Sequence, residues 1–285
     1  MNIGKTITAE GLTKSFGEKT VLRGIDLDIR KGEIFGLLGP SGAGKTTLIK
    51  ILTGQLSQDG GAALINGTDT RKLSGADHRK FGISMDNFGL YERLSCTDNL
   101  KTFARIYGLP NSSITEALAK VGLSDAAKTP AGRLSKGMAG RLKLARAFMT
   151  DPEILFLDEP TSGLDPVSAD EIHRILLSEK ARGKTVFLTT HTMTEAEKLC
   201  DNVALLNEGK IVEYGTPKDI CRRYDHQRRL KIHLHDGRDI EIPHNKSSAE
   251  TVARLISEGE AETIHSTEPD LETVFMEITG KELAV

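Results

Sequence analysis

The chain has 285 residues, of which 38% are hydrophobic and 27% charged, which suits one large globular domain or one domain with a small appendage. Its 38 basic and 40 acidic residues leave a formal net charge of -2, and this balance argues against a protein that neutralises nucleic-acid phosphates. The cysteines Cys96, Cys200 and Cys221 are far apart, so they indicate a reducing compartment rather than a disulfide framework or a metal site. No stretch approaches the roughly 18 apolar residues that span a bilayer.

A glycine-rich loop follows the third predicted strand. The strands TITAEGLTKSF and TVLRGIDLDIR come first, and the apolar run GEIFGLLG then leads into GPSGAGKTT and a helix. The pattern G-x-x-x-x-G-K-[ST] in this strand–loop–helix context indicates a phosphate site rather than a glycine turn without a ligand. Glycines let backbone N–H groups wrap a phosphate, Lys45 supplies a cation for the β- and γ-phosphates, and Thr46 supplies a hydroxyl for Mg²⁺. The predicted phosphate-binding residues are Gly39, Pro40, Ser41, Gly42, Ala43, Gly44, Lys45, Thr46 and Thr47.

The middle of the chain is predicted to be helical. The segment TDNLKTFARIYG has apolar residues at helical spacing and stops at Gly108. The segment SSITEALAKVG begins with a predicted capping box of Ser113 and Glu116 and stops at Gly122. We therefore expect at least two helices between the glycine-rich loop and the next strands.

Two short apolar runs, EILFLDEP and KTVFLTTH, are predicted to be buried parallel strands. Asp158 ends the first run, where a carboxylate can hold Mg²⁺ through a water, and the adjacent Glu159 can accept a proton from an attacking water. His191 ends the second run, where a ring N–H can stabilise charge on a γ-phosphate, although a purely structural histidine is the alternative. A helix capped by Asp165 and ended by Gly183 is predicted between the two strands.

Two further motifs accompany these strands, LSKGM at residues 134–138 and SGLD at residues 162–165. With the glycine-rich loop, the Asp-Glu strand end and His191 in this order, residues 5–220 resemble the ATPase subunit of an ABC transporter. The resemblance implies an α/β fold, with a P-loop NTPase (RecA-like) core, an N-terminal antiparallel β subdomain and an inserted α-helical subdomain over about residues 86–148. It implies ATP and Mg²⁺ as cofactors, and catalytic roles for Lys45, Glu159 and His191.

The resemblance also implies a head-to-tail dimer that encloses two ATP molecules. In the family, the signature residues matching Ser135 and Gly137 close over the γ-phosphate bound to the other subunit, and the segment ending in Asp165 crosses the interface. An aromatic residue at the position of Phe16 stacks on adenine. Lys136 and Met138 depart from the usual Gly and Gln, so we expect ATP binding in the dimer with an altered rim. The partner is a second copy or a homologous ATPase subunit.

A carboxylate stands at a further family position. Aligning FGISMDNFGLYERLS by Gly82 and its GLYERLS ending places Asp86 where the family has a glutamine that reaches Mg²⁺ and the attacking water. Asp86 is therefore a predicted metal contact. Its carboxylate suits Mg²⁺, through a water where it does not reach directly, but it lacks the hydrogen-bond donor of an amide.

The composition changes near KDICRRYDHQRRLKIHLHDGR, where charge density rises. We predict an ATPase domain at residues 1–224 and a small α/β accessory domain at 225–285, with two alternating strands followed by two helices. The ending EPDLETVFMEITGKE resembles the C-terminal extension of a subgroup that exports drugs, antibiotics or bacteriocins.

These features predict an ATP-hydrolysing subunit that powers export of an unidentified drug, peptide or lipid through separate membrane permease subunits. The resemblance places such a subunit peripherally on the cytoplasmic side of the cell membrane, with the permease contact in the helical insertion and no nucleic-acid partner. One alternative is a non-transport ABC ATPase that regulates a nucleic-acid or translation complex. The short spacing between Lys45 and Leu134, which leaves no room for a coiled-coil insertion, disfavours it. Another is a module that binds ATP without hydrolysis, and Glu159 and His191 argue against it.

Overall fold

The structure, a computed structural model, describes residues 4–85, 89–225, 229–267 and 269–280. Its strands up to Gly215 form two sheets, one antiparallel and one mainly parallel. These strands are β1 (Lys5–Phe16), β2 (Lys19–Arg30), β3 (Ile34–Leu38), β4 (Gly60–Ile65), β5 (Thr68–Asp69), β6 (Phe81–Ser84), β7 (Ile154–Asp158), β8 (Thr185–Thr190), β9 (Asn202–Asn207) and β10 (Lys210–Gly215). The helices of this region are α1 (Lys45–Leu52), α2 (Gly75–His78), α3 (Cys96–Tyr107), α4 (Asn111–Lys120), α5 (Lys136–Phe148), α6 (Pro166–Ala181) and α7 (Met193–Leu199).

The antiparallel sheet has the strand order β2-β1-β4-β5. Alternate residues in the second half of β2 are buried, namely Ile25, Leu27 and Ile29, because one face of this sheet covers the core and the other meets solvent. The second sheet has the order β10-β9-β3-β8-β7-β6. Its strands from β6 to β9 run parallel, and only β10 is antiparallel to its neighbour.

Helix α1 lies between the two sheets and contacts β2, β4 and β7. Its side chains Leu48, Ile49, Ile51 and Leu52 are fully buried in one cluster with residues of both sheets. Strand β3 is buried at all five positions, as expected for the interior of a parallel sheet. The predicted fold class is confirmed: this is an α/β P-loop core with an antiparallel β subdomain.

Helices α3, α4 and α5 pack against one another as the inserted helical subdomain, and α5 also contacts β6 and α6. Helix α3 ends at Gly108, which has a φ of 64°, as predicted. The predicted start of α4 is wrong, because the helix begins at Asn111 after Pro110. Ser113 lies inside the first turn, where its hydroxyl donates to the Pro110 carbonyl at 2.7 Å instead of capping the helix with Glu116.

A second compact unit begins at Thr216. It contains α8 (Pro217–Arg223), β11 (Arg229–Leu234), β12 (Asp239–Pro243), α9 (Ala249–Ser257), β13 (Ala261–Thr267) and α10 (Leu271–Thr279). Our sequence boundary at residue 224 placed α8 with the ATPase domain, whereas this division places it in the small unit. The sheet order is β12-β11-β13, and Ile232, Leu234 and Leu255 form a buried cluster against it. Further apolar residues of α8 and α10 are also buried, namely Ile220, Leu271, Val274 and Phe275.

Among the described residues, no helix has the length and apolar character that crossing a bilayer requires.

Candidate active site

The candidate site is built at the carboxyl ends of three adjacent parallel strands, β3, β8 and β7. Leu38 pairs with Thr190 across β3 and β8, and Asp158 pairs with Thr189 across β7 and β8. This register brings the loop after β3, the Asp-Glu pair after β7 and His191 after β8 to one edge of the sheet. Ligands of open α/β sheets bind at such an edge.

The glycine-rich loop is shaped by close approaches that a side chain would block. A Cβ at Gly39 would lie 2.2 Å from the Leu206 carbonyl oxygen, and one at Gly44 would lie 2.7 Å from Leu22 Cδ2. Gly44 has a φ of 114° and is the N-cap of α1, so the unpaired N–H groups of the first helical turn are available to an anion. The cavity measures about 310 Å³. It is lined by Val21, Ser41, Gly42, Gly44, Lys45, Thr46, Thr47 and Glu159.

Lys45 points into this cavity from the start of α1 and is 5% exposed. Its ammonium donates to the Gly39 carbonyl at 2.7 Å and to the Pro40 carbonyl at 3.3 Å, and it lies 3.3 Å from Glu159 Oε1. Ala43, the remaining member of the predicted loop, is buried. The cradle and its cation therefore fit the phosphates of a nucleotide.

Asp158 is held by two hydroxyl groups. Thr46 Oγ1 donates to Asp158 Oδ2 at 2.8 Å, and Thr189 Oγ1 donates to Asp158 Oδ1 at 2.5 Å. In the part of the chain that the structure describes, no group of three or more His, Cys, Asp or Glu side chains forms a metal site. One hydroxyl and one carboxylate fit Mg²⁺, which takes few protein ligands and completes its shell with waters and phosphates. The third predicted ligand, Asp86, lies outside the described residues.

Glu159, which lines the phosphate cavity, forms a close side-chain contact with His191. His191 Nδ1 lies 3.1 Å from Glu159 Oε2, and the two side chains are 32% and 26% exposed respectively. Glu159 has a φ of 48°, an unusual left-handed conformation for a residue with a side chain. Its N–H donates to both the carbonyl and the hydroxyl of Thr189 at 3.1 Å, which fixes this conformation. The carboxylate is thus oriented by its backbone and accessible to water.

The signature residues form a second group at the starts of α5 and α6. Ser135 caps α5 and accepts a hydrogen bond from the Met138 N–H at 3.2 Å, as predicted. Asp165 caps α6 and accepts from the Ser168 N–H and hydroxyl, and these hydrogen bonds lower the pKa of its carboxyl group. Gly137 lies against Ser168, where a Cβ would come within 2.4 Å of the hydroxyl oxygen. None of Ser135, Gly137 and Asp165 lines the phosphate cavity of its own chain.

Phe16 ends β1 and is 51% exposed. The Lys14 ammonium lies 5.5 Å from the centre of its ring. Phe16 does not line the phosphate cavity, so its ring is placed outside the loop and its predicted contact with adenine stays a prediction.

Sequence reasoning missed Glu195, which lies in α7 and is 4% exposed. Its carboxylate accepts hydrogen bonds from the hydroxyls of Thr161 and Thr190, and His173 Nε2 lies 2.9 Å away. Burial raises the pKa of Glu195, but the hydrogen bonds from His173, Thr161 and Thr190 outweigh burial and hold it below its ordinary value. The consecutive threonines before His191 were the available signal, because hydroxyls at the end of a buried strand need partners.

Comparison with known proteins agrees with this geometry. The family model described as "ABC transporter" matches residues 22–162. The chain is 39% identical over 286 residues to a fluoroquinolones export ATP-binding protein of Mycobacterium tuberculosis, covering 98% of this chain and 95% of that one. It is 38% identical over 221 residues to a lantibiotic transport ATP-binding protein of Streptococcus pyogenes, covering 76% and 95%.

A solved structure gives the same fold. The dimeric post-hydrolysis state of the ATP-binding cassette MJ0796 bound to ADP and Pi superposes with a TM-score of 0.66 at 25% identity, covering 74% of this chain and 98% of that one. Together with the phosphate cradle and the Glu159–His191 pair, these likenesses establish the family. The chain belongs to the ABC transporter family, as an ATP-binding and ATP-hydrolysing subunit.

Proposed function

We propose that two copies of this chain, or one copy and a homologous subunit, close head to tail around Mg²⁺-ATP and drive export of a drug-like or peptide compound through separate membrane permeases. The relative named for fluoroquinolone export matches 98% of the chain, including the small C-terminal unit, and supports export. The relative named for lantibiotic transport matches 76% and is compatible with a peptide cargo. The subunit then acts peripherally, at the cytoplasmic face of the membrane.

The observation that carries the catalytic proposal is the convergence of Lys45 and His191 on the Glu159 carboxylate, at 3.3 Å and 3.1 Å. Glu159 accepts the proton of the attacking water, while Lys45 neutralises charge that develops on the phosphates. His191 lies with its Nδ1 against the Glu159 carboxylate and thereby orients this base. The predicted hydrogen bond from His191 to the γ-phosphate then has to come from its other ring nitrogen, Nε2.

Thr46 and Asp158 hold Mg²⁺ in this proposal, with Asp86 as a further contact. Held there, Mg²⁺ would neutralise negative charge on the phosphates. Ser135, Gly137 and Asp165 serve the nucleotide bound to the opposite subunit, which agrees with their absence from the phosphate cavity of their own chain. Phe16 stacks on adenine with its exposed ring face.

Replacing Glu159 tests the proposed base. The Glu159→Gln variant keeps the shape of the side chain but is a far weaker base, so we expect hydrolysis to fall by at least about 100-fold while ATP still binds. Steady-state phosphate release measures the rate, and gel filtration with Mg²⁺-ATP reports a trapped dimer. The exposed Glu10→Gln change is the control. Normal turnover in the Glu159 variant would show that Glu159 is not the base.

The helical subdomain offers a groove for the permease. A cavity of about 280 Å³ opens between α3, α5 and β6 and includes Phe103, Tyr107 and Arg146 in its lining. The Arg146 guanidinium lies 4.9 Å from the centre of the Phe103 ring, and burial lowers the pKa of Arg146. Ile106 on the same helix is 69% exposed. An apolar side chain beside an aromatic groove suits a helical segment of a membrane protein.

Cross-linking tests this groove. We expect Ile106→Cys, treated with a thiol cross-linker in native membranes, to join the chain to an integral membrane protein. Leu177→Cys on α6, where Leu177 is 43% exposed, is the matched control and should not. Equal cross-linking at both positions would contradict a specific contact.

The alternative of a nucleic-acid or translation regulator has no support among the export and transport relatives.

A further inference from the structure

One buried carboxylate joins three segments that surround the reaction centre. Glu195 Oε1 accepts from the Thr161 hydroxyl and lies 2.9 Å from His173 Nε2, and Oε2 accepts from the Thr190 hydroxyl at 2.7 Å. Thr161 follows Glu159 by two residues, and Thr190 directly precedes His191. His173 belongs to α6, the helix that Asp165 caps. The carboxylate thus reaches both members of the catalytic pair through residues one or two positions away in the chain.

The two neighbours differ in their backbone support: Thr190 ends β8 and pairs with Leu38, whereas Thr161 lies in the segment after β7. The Ser162 N–H donates to the Glu159 carbonyl and the Leu164 N–H to the Thr161 carbonyl, so the segment after β7 is a pair of turns. Thr190 Oγ1 also accepts from the Thr192 N–H at 3.0 Å, which places its own hydrogen on Glu195. Side-chain hydrogen bonds to a buried charge are stronger than those between neutral groups, so this carboxylate is a firm anchor for both loops.

We propose that Glu195, with its partner His173, is a positioning residue for hydrolysis, which sets the separation of Glu159 from His191 through Thr161 and Thr190. This inference rests on the proposed catalytic roles of that pair. Glu195 does not line the phosphate cavity, and its hydrogen-bond partners in the described part of the chain do not include the predicted metal ligands Thr46 and Asp158. Its loss therefore changes the rate of the chemical step while ATP binding stays, since a displacement near 1 Å at a reaction centre costs about 100-fold in rate.

The test uses the full chain with variants that keep side-chain volume. In Glu195→Gln, the carboxylate that accepts three hydrogen bonds becomes an amide with one acceptor oxygen. We expect kcat to fall about tenfold while the KM for ATP stays within about twofold. Thr161→Val and Thr190→Val each remove one hydrogen bond to Glu195, and each should lower kcat by a smaller factor. The control is Lys198→Ala, an exposed side chain of the same helix.

A double variant distinguishes positioning from a general loss of structure. If Glu195 acts through Glu159, the variant with both Glu159→Gln and Glu195→Gln has the same single-turnover rate as Glu159→Gln alone. A purely structural role would lower the rate further and would lower kcat and ATP affinity together, and either result overturns the proposal. Unchanged kcat in Glu195→Gln overturns it too. If that variant does not fold, Thr161→Val and Thr190→Val test the positioning role by the same criteria.

The outcomes separate this inference from the proposed function. A wild-type chain that hydrolyses no Mg²⁺-ATP, alone or in membranes, contradicts the proposed function itself. A wild-type chain that hydrolyses ATP, with Glu195→Gln at the same rate, leaves the proposed function intact and removes only the positioning role.

Discussion

Asp158 takes its orientation from hydroxyl groups that lie far from it in sequence. Thr46 stands in the phosphate loop and Thr189 in the neighbouring strand, and each donates to one carboxylate oxygen. The Thr189 hydroxyl also accepts from the Glu159 N–H. A single buried hydroxyl therefore fixes both the proposed metal ligand and the backbone of the proposed base.

We predict that Thr189→Val weakens the response to Mg²⁺. The change keeps the side-chain shape but leaves one Asp158 oxygen without its donor, so the Mg²⁺ concentration for half-maximal ATPase activity should rise about tenfold. A titration of ATPase rate with Mg²⁺ at saturating ATP measures this. Thr185→Val is the matched control, because the Thr185 hydroxyl lies in the same strand but accepts only from the Gly32 N–H. A similar shift in both variants would mean that the strand, not the carboxylate, was disturbed.

The site residues predicted from the sequence are those that belong to short contiguous motifs. Lys45, Thr46 and Asp158 stand in contiguous motifs, and the motif spacing alone brings their groups to a strand end. Glu195 and Thr189 were missed because their partners lie in other elements. The role of a buried carboxylate is clear only once the structure shows which hydroxyl groups donate hydrogen bonds to it.

At the scale of elements, α5 shows how two glycines three residues apart differ in purpose. Both Gly137 and Gly140 lie within the helix. A Cβ at Gly137 would meet Ser168 Oγ at 2.4 Å and Ser168 Cβ at 2.7 Å, whereas at Gly140 the nearest atom, Ile172 Cδ1, is 3.6 Å away. Gly137 is therefore required by the close approach of α5 to α6, and Gly140 is a site where the helix tolerates a methyl group.

We predict opposite effects of alanine at these two positions. Gly137→Ala pushes against Ser168 and the Asp165 cap, so the free energy of unfolding of the large unit should fall by about 1–3 kcal/mol. Gly140→Ala reduces backbone freedom of the unfolded chain without a clash and should raise it by about 0.5–1 kcal/mol. Chemical denaturation monitored by circular dichroism compares the two. Equal destabilisation would show that the helix, rather than its contact with Ser168, needs glycine.

Element boundaries were predictable where local chemistry acts alone. Ser135 and Asp165 cap their helices as expected, because a side-chain oxygen at this position satisfies the nearest free N–H groups. The start of α4 was wrong because Pro110 initiates the helix ahead of Ser113. Strand β13 was missed because Ile264 is its only large apolar residue, as is common for a strand at the edge of a sheet.

For the whole molecule, the division at Gly215 separates a large unit with an extended core from a small one with far fewer buried apolar residues. The phosphate cavity lies within the large unit alone. We expect units of such different size to differ in stability, so that the chain unfolds in more than one step. The proposed accessory domain is therefore expected to unfold in a transition of its own.

We predict two thermal transitions, of which only one responds to ATP. Mg²⁺-ATP at about 100 times its dissociation constant adds about 2.7 kcal/mol to the unit that binds it, so the midpoint of the large transition should rise while the small one stays. Differential scanning calorimetry with and without nucleotide measures both. Lys45→Ala is the control and should abolish the shift. A single transition that moves as a whole would show that the two units unfold together.

The position of β3 between β8 and β9 has a consequence for synthesis of the chain. Strand β3 leaves the ribosome early, but its neighbours begin at Thr185 and Asn202. At ordinary rates of translation, this wholly apolar strand waits on the order of ten seconds for a partner. An unfinished chain that stops before Glu159 carries the phosphate loop without its proposed base, and every chain that stops before Asn202 depends on protection from aggregation until the last parallel strand has been made.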